Sequence, residues 1–213
     1  MDIAVYSGSF NPLHIGHLAI LVRLSEMFDK TLLVVSPVNP LKESATVLDA
    51  EKRLREAKKA VARHPELDGK VEVSDIEFHL PTPNYTINTL DALKASSACD
   101  SYTHSDLKAS SACDSHTHSD LKASSACDSY TLVTGGDQIA DFRRWRDYRR
   151  ILTDYGVAVF PREGFDIHAI RHNLLAEDHR YRIKLIDMPL VKVSSTDIRK
   201  ALARGEDISK LLM

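Results

Sequence analysis

The sequence predicts an α/β protein, a doubly wound parallel sheet with helices on both faces. Three observations carry the prediction. Strand-like and helix-like segments alternate along the chain, the order that parallel strands joined by crossover helices require. Several strand-like segments are short, continuous apolar runs rather than alternating ones, as in strands covered on both faces. The first such run, IAVY, passes through SGSFNPLHIGH into the amphipathic stretch HLAILVRLSEMF, so a turn rich in small residues stands where the first strand becomes the first helix.

Taken in order, strands are expected at 3–6 (IAVY), 31–36 (TLLVVS), 70–73 (KVEV), 130–134 (YTLVT), 157–160 (VAVF) and 182–186 (RIKLI). Between and after them, helices are expected at 17–28, 50–64, 86–94, 148–153, 167–175 and 195–204. In the first helix, Leu18, Leu21, Leu24 and Phe28 fall on one face at helical spacing. The last is bounded by the caps Ser194, Ser195 and Thr196 and by Gly205 as a stop. In open sheets of this kind ligands gather beyond the carboxyl ends of the strands. That rule assigns SGSFNPLHIGH, PVNPLK and GGDQ, which follow the first, second and fourth strands, to the functional edge.

With 213 residues the chain can bury a sizeable core, and a single domain over 1–213 is expected. A formal charge of −2 argues against a nucleic-acid partner, so a small anionic ligand would have to be held locally. No apolar run approaches the roughly 20 residues of a membrane span, and the N-terminus lacks a basic region followed by a hydrophobic core. A cytoplasmic protein with no membrane partner is the expectation. The three cysteines, Cys99, Cys113 and Cys127, recur at a fixed interval of 14, which reflects repetition rather than a disulfide framework.

That repetition is a tandem duplication. Residues 95–108 read ASSACDSYTHSDLK, residues 109–122 repeat them with His116 in place of Tyr102, and a third copy begins at 123. The unit is shorter than the 20 or more residues of solenoid repeats, and removing 95–122 leaves a sequence that reads continuously. Cys99 with His104 and Cys113 with His118 invite a zinc reading, but the spacing fits no structural zinc pattern. A surface loop of low helix preference is the favoured expectation. Lying between a helix and a strand, the insertion should hang from the edge of the sheet opposite the functional one.

The junction after the first strand carries the chemistry. Gly8, Ser9 and Asn11 allow a tight turn with exposed backbone N–H groups, and Gly16 lets a ligand approach the first helical turn. Helix N-termini attract phosphate through unpaired N–H donors and the helix dipole. His14 and His17 would then flank the ligand, each able to donate a hydrogen bond to a phosphoryl oxygen. A metal site would need a third ligand that this stretch does not supply.

GSFNPLHIGH resembles the (H/T)xGH signature of the nucleotidyltransferase superfamily, and VSSTDIRKAL resembles its second signature, SSTxIR. The Asn11-Pro12 form of the first motif, with NYTINTL at 84–90 and GGDQ at 135–138 followed by Trp145, is similar to the bacterial nicotinate mononucleotide adenylyltransferases. The resemblance covers nearly all of the chain except the duplication. It implies a Rossmann-like HxGH nucleotidyltransferase fold. It also implies attack of the 5′-phosphate of nicotinate mononucleotide on the α-phosphorus of ATP, giving deamido-NAD and pyrophosphate, with Mg²⁺ bridging phosphate oxygens.

On that reading His14, His17, Lys42 and Arg199 are the catalytic donors. Gly8, Ser9, Phe10, Asn11, Gly16, Ser194, Ser195 and Thr196 bind the phosphates of ATP, while Thr86, Gly136, Asp137 and Trp145 receive the mononucleotide. Attack of one anion on another is opposed by charge, so such a site must neutralise and align phosphates and needs no covalent nucleophile. Trp145, the only tryptophan, offers a flat face to a pyridine ring or simply covers core, and its neighbours Arg143, Arg144 and Arg146 form a solvated face. Two departures from the family pattern stand out: Ser7 replaces a glycine, and the residues Ile208–Met213 occupy a place where many relatives continue into a further helical stretch. Alternatives are another adenylyltransferase of the superfamily, such as one acting on phosphopantetheine, and a nucleotide-binding regulator without the reaction. The acid or amide form of the acceptor and a homo-oligomeric state are left open.

Overall fold

The computed structural model describes residues 1–37, 47–100, 128–190 and 192–213. Six parallel strands form one sheet: β1 (Asp2–Gly8), β2 (Lys30–Val35), β3 (Val71–Ser74), β4 (Ser129–Gly135), β5 (Val157–Phe160) and β6 (Ile183–Leu185). Their order across the sheet is β3-β2-β1-β4-β5-β6. Winding therefore reverses between β1 and β4, which opens a crevice at the carboxyl ends of those two strands.

The helices are α1 (Ile15–Met27), α2 (Val47–Ala62), α3 (Thr86–Asp100), α4 (Gly136–Ala140), α5 (Tyr148–Arg150), α6 (Ile167–Glu177) and α7 (Ser195–Ala203). Alternate residues of the strands feed two cores. Ile3, Val5, Val34, Leu132 and Val157 pack with Leu90 of α3, Ile139 of α4 and Leu174 of α6 on one face. Ala4, Tyr6, Leu33, Val35 and Val133 pack with Leu21 and Leu24 of α1 and Ala57 of α2 on the other. Each fully buried leucine contributes roughly 1.5–3 kcal/mol through the apolar surface it withdraws from water, which is why continuous apolar strands hold a sheet covered on both sides.

All six expected strands form, with small shifts at their ends. The helices differ more. α4 is too short to show a period in sequence, and the expected helix at 148–153 is α5 followed by a π-helical turn, Ile151–Tyr155, that ends at Gly156 with φ 82°. α3 runs to Asp100, six residues into the duplication, which corrects the expectation of a loop from residue 95. A helix already nucleated extends at the gain of a hydrogen bond per residue, and here Ser96 and Ser97 return their hydroxyls to the carbonyls of Leu93 and Lys94 at 2.9 and 3.1 Å. Residues 101–122, and with them the zinc reading of the repeat, lie outside the described residues.

The described residues that follow the insertion meet the amino edge of the sheet: Ser129 N–H donates to the Met1 carbonyl at 2.8 Å, and the Met1 ammonium pairs with Asp128 at 2.9 Å. Among the described residues no helix is long and apolar enough to cross a membrane.

Candidate active site

The chain leaves β1 through a compact junction. Phe10 has φ 43°, in the left-handed region, and its ring lies over Gly8, where a Cβ would come within 3.1 Å of the ring. A side chain at position 8 would thus need the Phe10 ring to shift, and Phe10 is held in a sparsely populated conformation by packing against Tyr6 at 5.3 Å. Arg53 of α2, 8% exposed, clamps the junction to the turn after β2. It donates to the carbonyls of Ser9, Ser36 and Pro37 at 2.6, 2.9 and 2.9 Å.

At the start of α1 the two histidines cap the helix for each other. His14 is the N-cap, and its Nδ1 accepts the Gly16 N–H at 3.1 Å; the Nδ1 of His17 accepts the His14 N–H at 3.2 Å. Both Nδ1 atoms being acceptors, a neutral ring must carry its proton on Nε2. The rings stack with centroids 3.8 Å apart, and Phe10 meets His17 edge-on at 5.3 Å. Burial, and secondarily the charge of Arg162, pushes His14 down to about 4. Burial, then the neighbouring His14, then Arg162 holds His17 well below its ordinary value. Both rings are thus neutral donors at physiological pH.

Residue exposures of 2% and 8% put His14 and His17 largely inside. Among the described residues only Thr31 Oγ1, Asn84 Oδ1 and Arg162 Nε are fully enclosed side-chain atoms without a hydrogen-bond partner. Neither histidine Nε2 is among them, and the hydrogen bonds that the two rings make among the described residues run through Nδ1.

The last helix closes on this junction. Arg199 donates to the Asn11 carbonyl at 2.7 Å and to Thr196 Oγ1 at 3.0 Å, and Ser195 donates to the Pro12 carbonyl at 3.2 Å. Ser194 is the N-cap of α7: its Oγ accepts the Asp197 N–H at 3.2 Å and donates to the Asp197 carboxylate at 2.5 Å. The chain end joins the same assembly, Leu212 bridging to His14 and Met213 packing on Phe10 and Leu13. A cavity of about 780 Å³ lies between the junction and α2, lined in part by Asn11, Lys52, Arg53, Arg63 and Arg199. His14 and His17 are not among the residues that line it.

Across the crevice from α1 stand the residues expected at the acceptor. Asp137 folds back so that a Cβ at Gly135 would lie 2.4 Å from its Oδ1, and Oδ1 sits 3.6 Å from Arg162 Nε. Thr86 opens α3. Trp145 is half-buried against the core and stacks on Phe142 at 4.7 Å, and the next residue, Arg146, lies over the ring of Tyr85 at 4.7 Å. That stack brings the neighbours of Thr86 and Trp145 together.

The structure therefore brings one set of predicted residues together: Gly8, Ser9, Phe10, Asn11, His14, Gly16 and His17 stand with Ser194, Ser195, Thr196 and Arg199. Of the acceptor residues, Thr86 and Trp145 are linked through their neighbours Tyr85 and Arg146, while Gly136 and Asp137 stand after β4 beside Phe165 and Arg162. Lys42 lies outside the described residues. Three buried or half-buried polar side chains went unnoticed in the sequence. Arg162 follows β5, and applying the carboxyl-edge rule to that strand would have drawn attention to it. Arg53 and Glu77 carry no motif. Glu77, 5% exposed, accepts Ser7 Oγ at 3.0 Å and Thr89 Oγ1 at 3.1 Å, so the serine that replaces the family glycine ties β1 to α3.

Comparison with known proteins agrees with this architecture. The cytidylyltransferase-like family profile matches residues 5–201. The chain is 33% identical over 214 residues to a protein of Flavobacterium johnsoniae named "Probable nicotinate-nucleotide adenylyltransferase", spanning 100% of this chain and 92% of the relative. A Bacteroides fragilis protein of the same name is 34% identical over 210 residues, 98% of this chain and 85% of its own. Among solved structures, Plasmodium falciparum nicotinic acid mononucleotide adenylyltransferase complexed with NaAD superposes with a TM-score of 0.70 at 17% identity, covering 99% of this chain and 90% of that one. At that identity the likeness bears on the fold.

Proposed function

The chain belongs to the nicotinate-nucleotide adenylyltransferase family, and we propose that it transfers the adenylyl group of ATP to the 5′-phosphate of nicotinate mononucleotide, releasing deamido-NAD and pyrophosphate. The observation that carries the assignment of residues is the seating of Arg199 on the Asn11 carbonyl beside the His14–His17 pair. It sets two separated motifs, one at each end of the chain, around one junction.

A mononucleotide phosphate oxygen attacks the α-phosphorus of ATP, the bond to the bridging oxygen of the β-phosphate breaks, and pyrophosphate leaves with that electron pair. No covalent link to the protein forms. The chain's work is alignment and charge neutralisation. His14 and His17 donate from Nε2 to the oxygens that gain charge, Arg199 and Lys42 neutralise the departing phosphates, and the Ser9–Asn11 turn with Ser195 and Thr196 fixes the triphosphate. Thr86, Gly136, Asp137 and Trp145 receive the mononucleotide, Trp145 through the ring face not covered by Phe142.

Among the described residues no cluster of three or more His, Cys, Asp or Glu side chains could hold a metal ion. The donors present suit Mg²⁺ that arrives on the triphosphate with water and phosphate oxygens as its ligands and shields their charge. We read residues 1–213 as one domain with the duplication inserted at about 95–122, acting in the cytoplasm on small-molecule substrates.

Pyrophosphate release with ATP and Mg²⁺, run in parallel with nicotinate mononucleotide, nicotinamide mononucleotide and phosphopantetheine, tests the reading. Turnover is expected with nicotinate mononucleotide. Release with phosphopantetheine alone would move the chain to a different acceptor, and none with any acceptor would favour a regulator.

A further inference from the structure

Arg162 stands two residues beyond β5, at the carboxyl edge of the sheet. Its side chain is 27% exposed, and its Nε is enclosed without a hydrogen-bond partner. The nearest anion, Asp137 Oδ1, is 3.6 Å away, beyond hydrogen-bond reach, and the guanidinium lies 5.2 Å from the centre of the Phe160 ring. The cation is ion-paired with Asp137, but an enclosed N–H donor without an acceptor is costly, so that donor is arranged for a partner that arrives.

Its surroundings say where that partner sits. On one side is Asp137 of the acceptor group, and the glycine at 135 leaves the space the two side chains occupy: a Cβ there would come within 3.2 Å of Arg162 Cγ. On the other side its charge reaches His14 and His17, where it adds to the effect of burial in keeping both rings neutral. Arg162 thus pairs with Asp137 and adds its charge near His14 and His17.

We propose that Arg162 binds the 5′-phosphate of the acceptor mononucleotide, a phosphomonoester dianion, and holds it against the α-phosphorus of ATP. The inference rests on the proposed adenylyl transfer. Two anions must meet in that step, and a guanidinium beside Asp137, joined to His17 through the contacting rings of Phe160 and Tyr6, offsets their repulsion. A planar guanidinium can also orient the attacking oxygen through paired donors. Asp137 keeps the side chain in place until the phosphate supplies the missing acceptor.

The test begins with wild-type turnover on nicotinate mononucleotide; its absence would end the proposed reaction itself. With turnover established, kcat and KM are measured for each substrate in R162A, R162Q and R162K, with binding of ATP, nicotinate mononucleotide and the phosphate-free nicotinic acid riboside measured directly. The expected result is a loss on the order of 100-fold in kcat/KM for the mononucleotide in R162A and R162Q, partly restored in R162K, with ATP binding within a few-fold of wild type. The preference for mononucleotide over riboside should shrink to near one, and the His14 titration should move upward. Unchanged kcat/KM, a loss of ATP binding as large as that of the mononucleotide, or an undiminished preference over the riboside would overturn the proposal. If R162A fails to fold, R162Q and R162K decide by the same readouts.

Discussion

His14 and His17 stack with ring centroids 3.8 Å apart while each Nδ1 accepts a backbone N–H of the same helical turn. Two imidazoles so close cannot both be charged, and their Nδ1 atoms are occupied. The pair works as neutral Nε2 donors.

From this follows the pH dependence. With His14 at about 4 in the folded chain and near 6.5 when unfolded, the unfolded state takes up protons that the folded state refuses. Stability is full above about pH 6.5 and falls as pH drops toward 4. Thermal melts should show this decline, and the His14 resonance in two-dimensional NMR should titrate near 4. A midpoint near 6.5 would contradict the buried pair. The profile of kcat/KM should likewise lack a histidine inflection between pH 6 and 8.

Replacement of His17 by alanine removes a donor whose effect is greatest as charge builds on the transferring phosphate. Turnover should fall on the order of 100-fold, with ATP affinity changed much less. The cap on the His14 N–H is lost too, at a cost of about 1 kcal/mol in stability. Full turnover with only weaker ATP binding in H17A would remove the assigned role.

Glycine at 135 leaves room for the Asp137 carboxylate and Arg162. G135A should push Asp137 out of place, raising KM for the mononucleotide about tenfold or more while leaving KM for ATP near wild type. Equal changes in both would point to general distortion.

Ser7 and Glu77 provide a stability test. S7G deletes the hydrogen bond to Glu77 Oε1 at 3.0 Å and should cost about 1 kcal/mol in urea unfolding. E77A removes the acceptor shared by Ser7 and Thr89 and should cost more, since the buried Thr89 hydroxyl then goes unpaired, while Ser7 Oγ keeps Ser36 Oγ at 3.2 Å. A smaller loss in E77A than in S7G would show that Glu77 is not the centre of this network.

Deletion of 95–122 should leave turnover within a few-fold of wild type, because the segment that leads from the insertion into β4 lies at the amino edge of the sheet. The deletion also restores ASSACD, now from residues 123–128, after Lys94. Those six residues must then serve as the connection into β4, so helicity by far-ultraviolet circular dichroism should drop slightly. Loss of most activity in a folded deletion variant would give the insertion a role in the chemistry.

The sheet was legible because strands such as LLVV and VAVF are apolar throughout, a pattern only burial on both faces explains. The β1–α1 junction was legible as a candidate site because glycines, a helix start and two histidines occur within ten residues. Tertiary placement was not. Arg53, Glu77 and Arg162 act through backbone carbonyls or side chains far away in sequence, and a lone arginine or glutamate carries no periodicity that reveals its partner. The extent of α3 was misread because Ser and Asp have weak helix preference, whereas a formed helix propagates through them. The reciprocal use of both histidines as caps has no sequence signal apart from their spacing of three.

The central claim is that the β1–α1 junction and α7 serve one polyphosphate site, and a double-mutant cycle on kcat/KM for ATP between H17A and R199A tests it most directly. A large loss is expected in each single variant, and a loss in the double variant well short of their product, as for two groups that act on one transferring phosphate chain. Wild-type kcat/KM in either single variant, or losses that multiply as for independent sites to within about 0.5 kcal/mol, would contradict it.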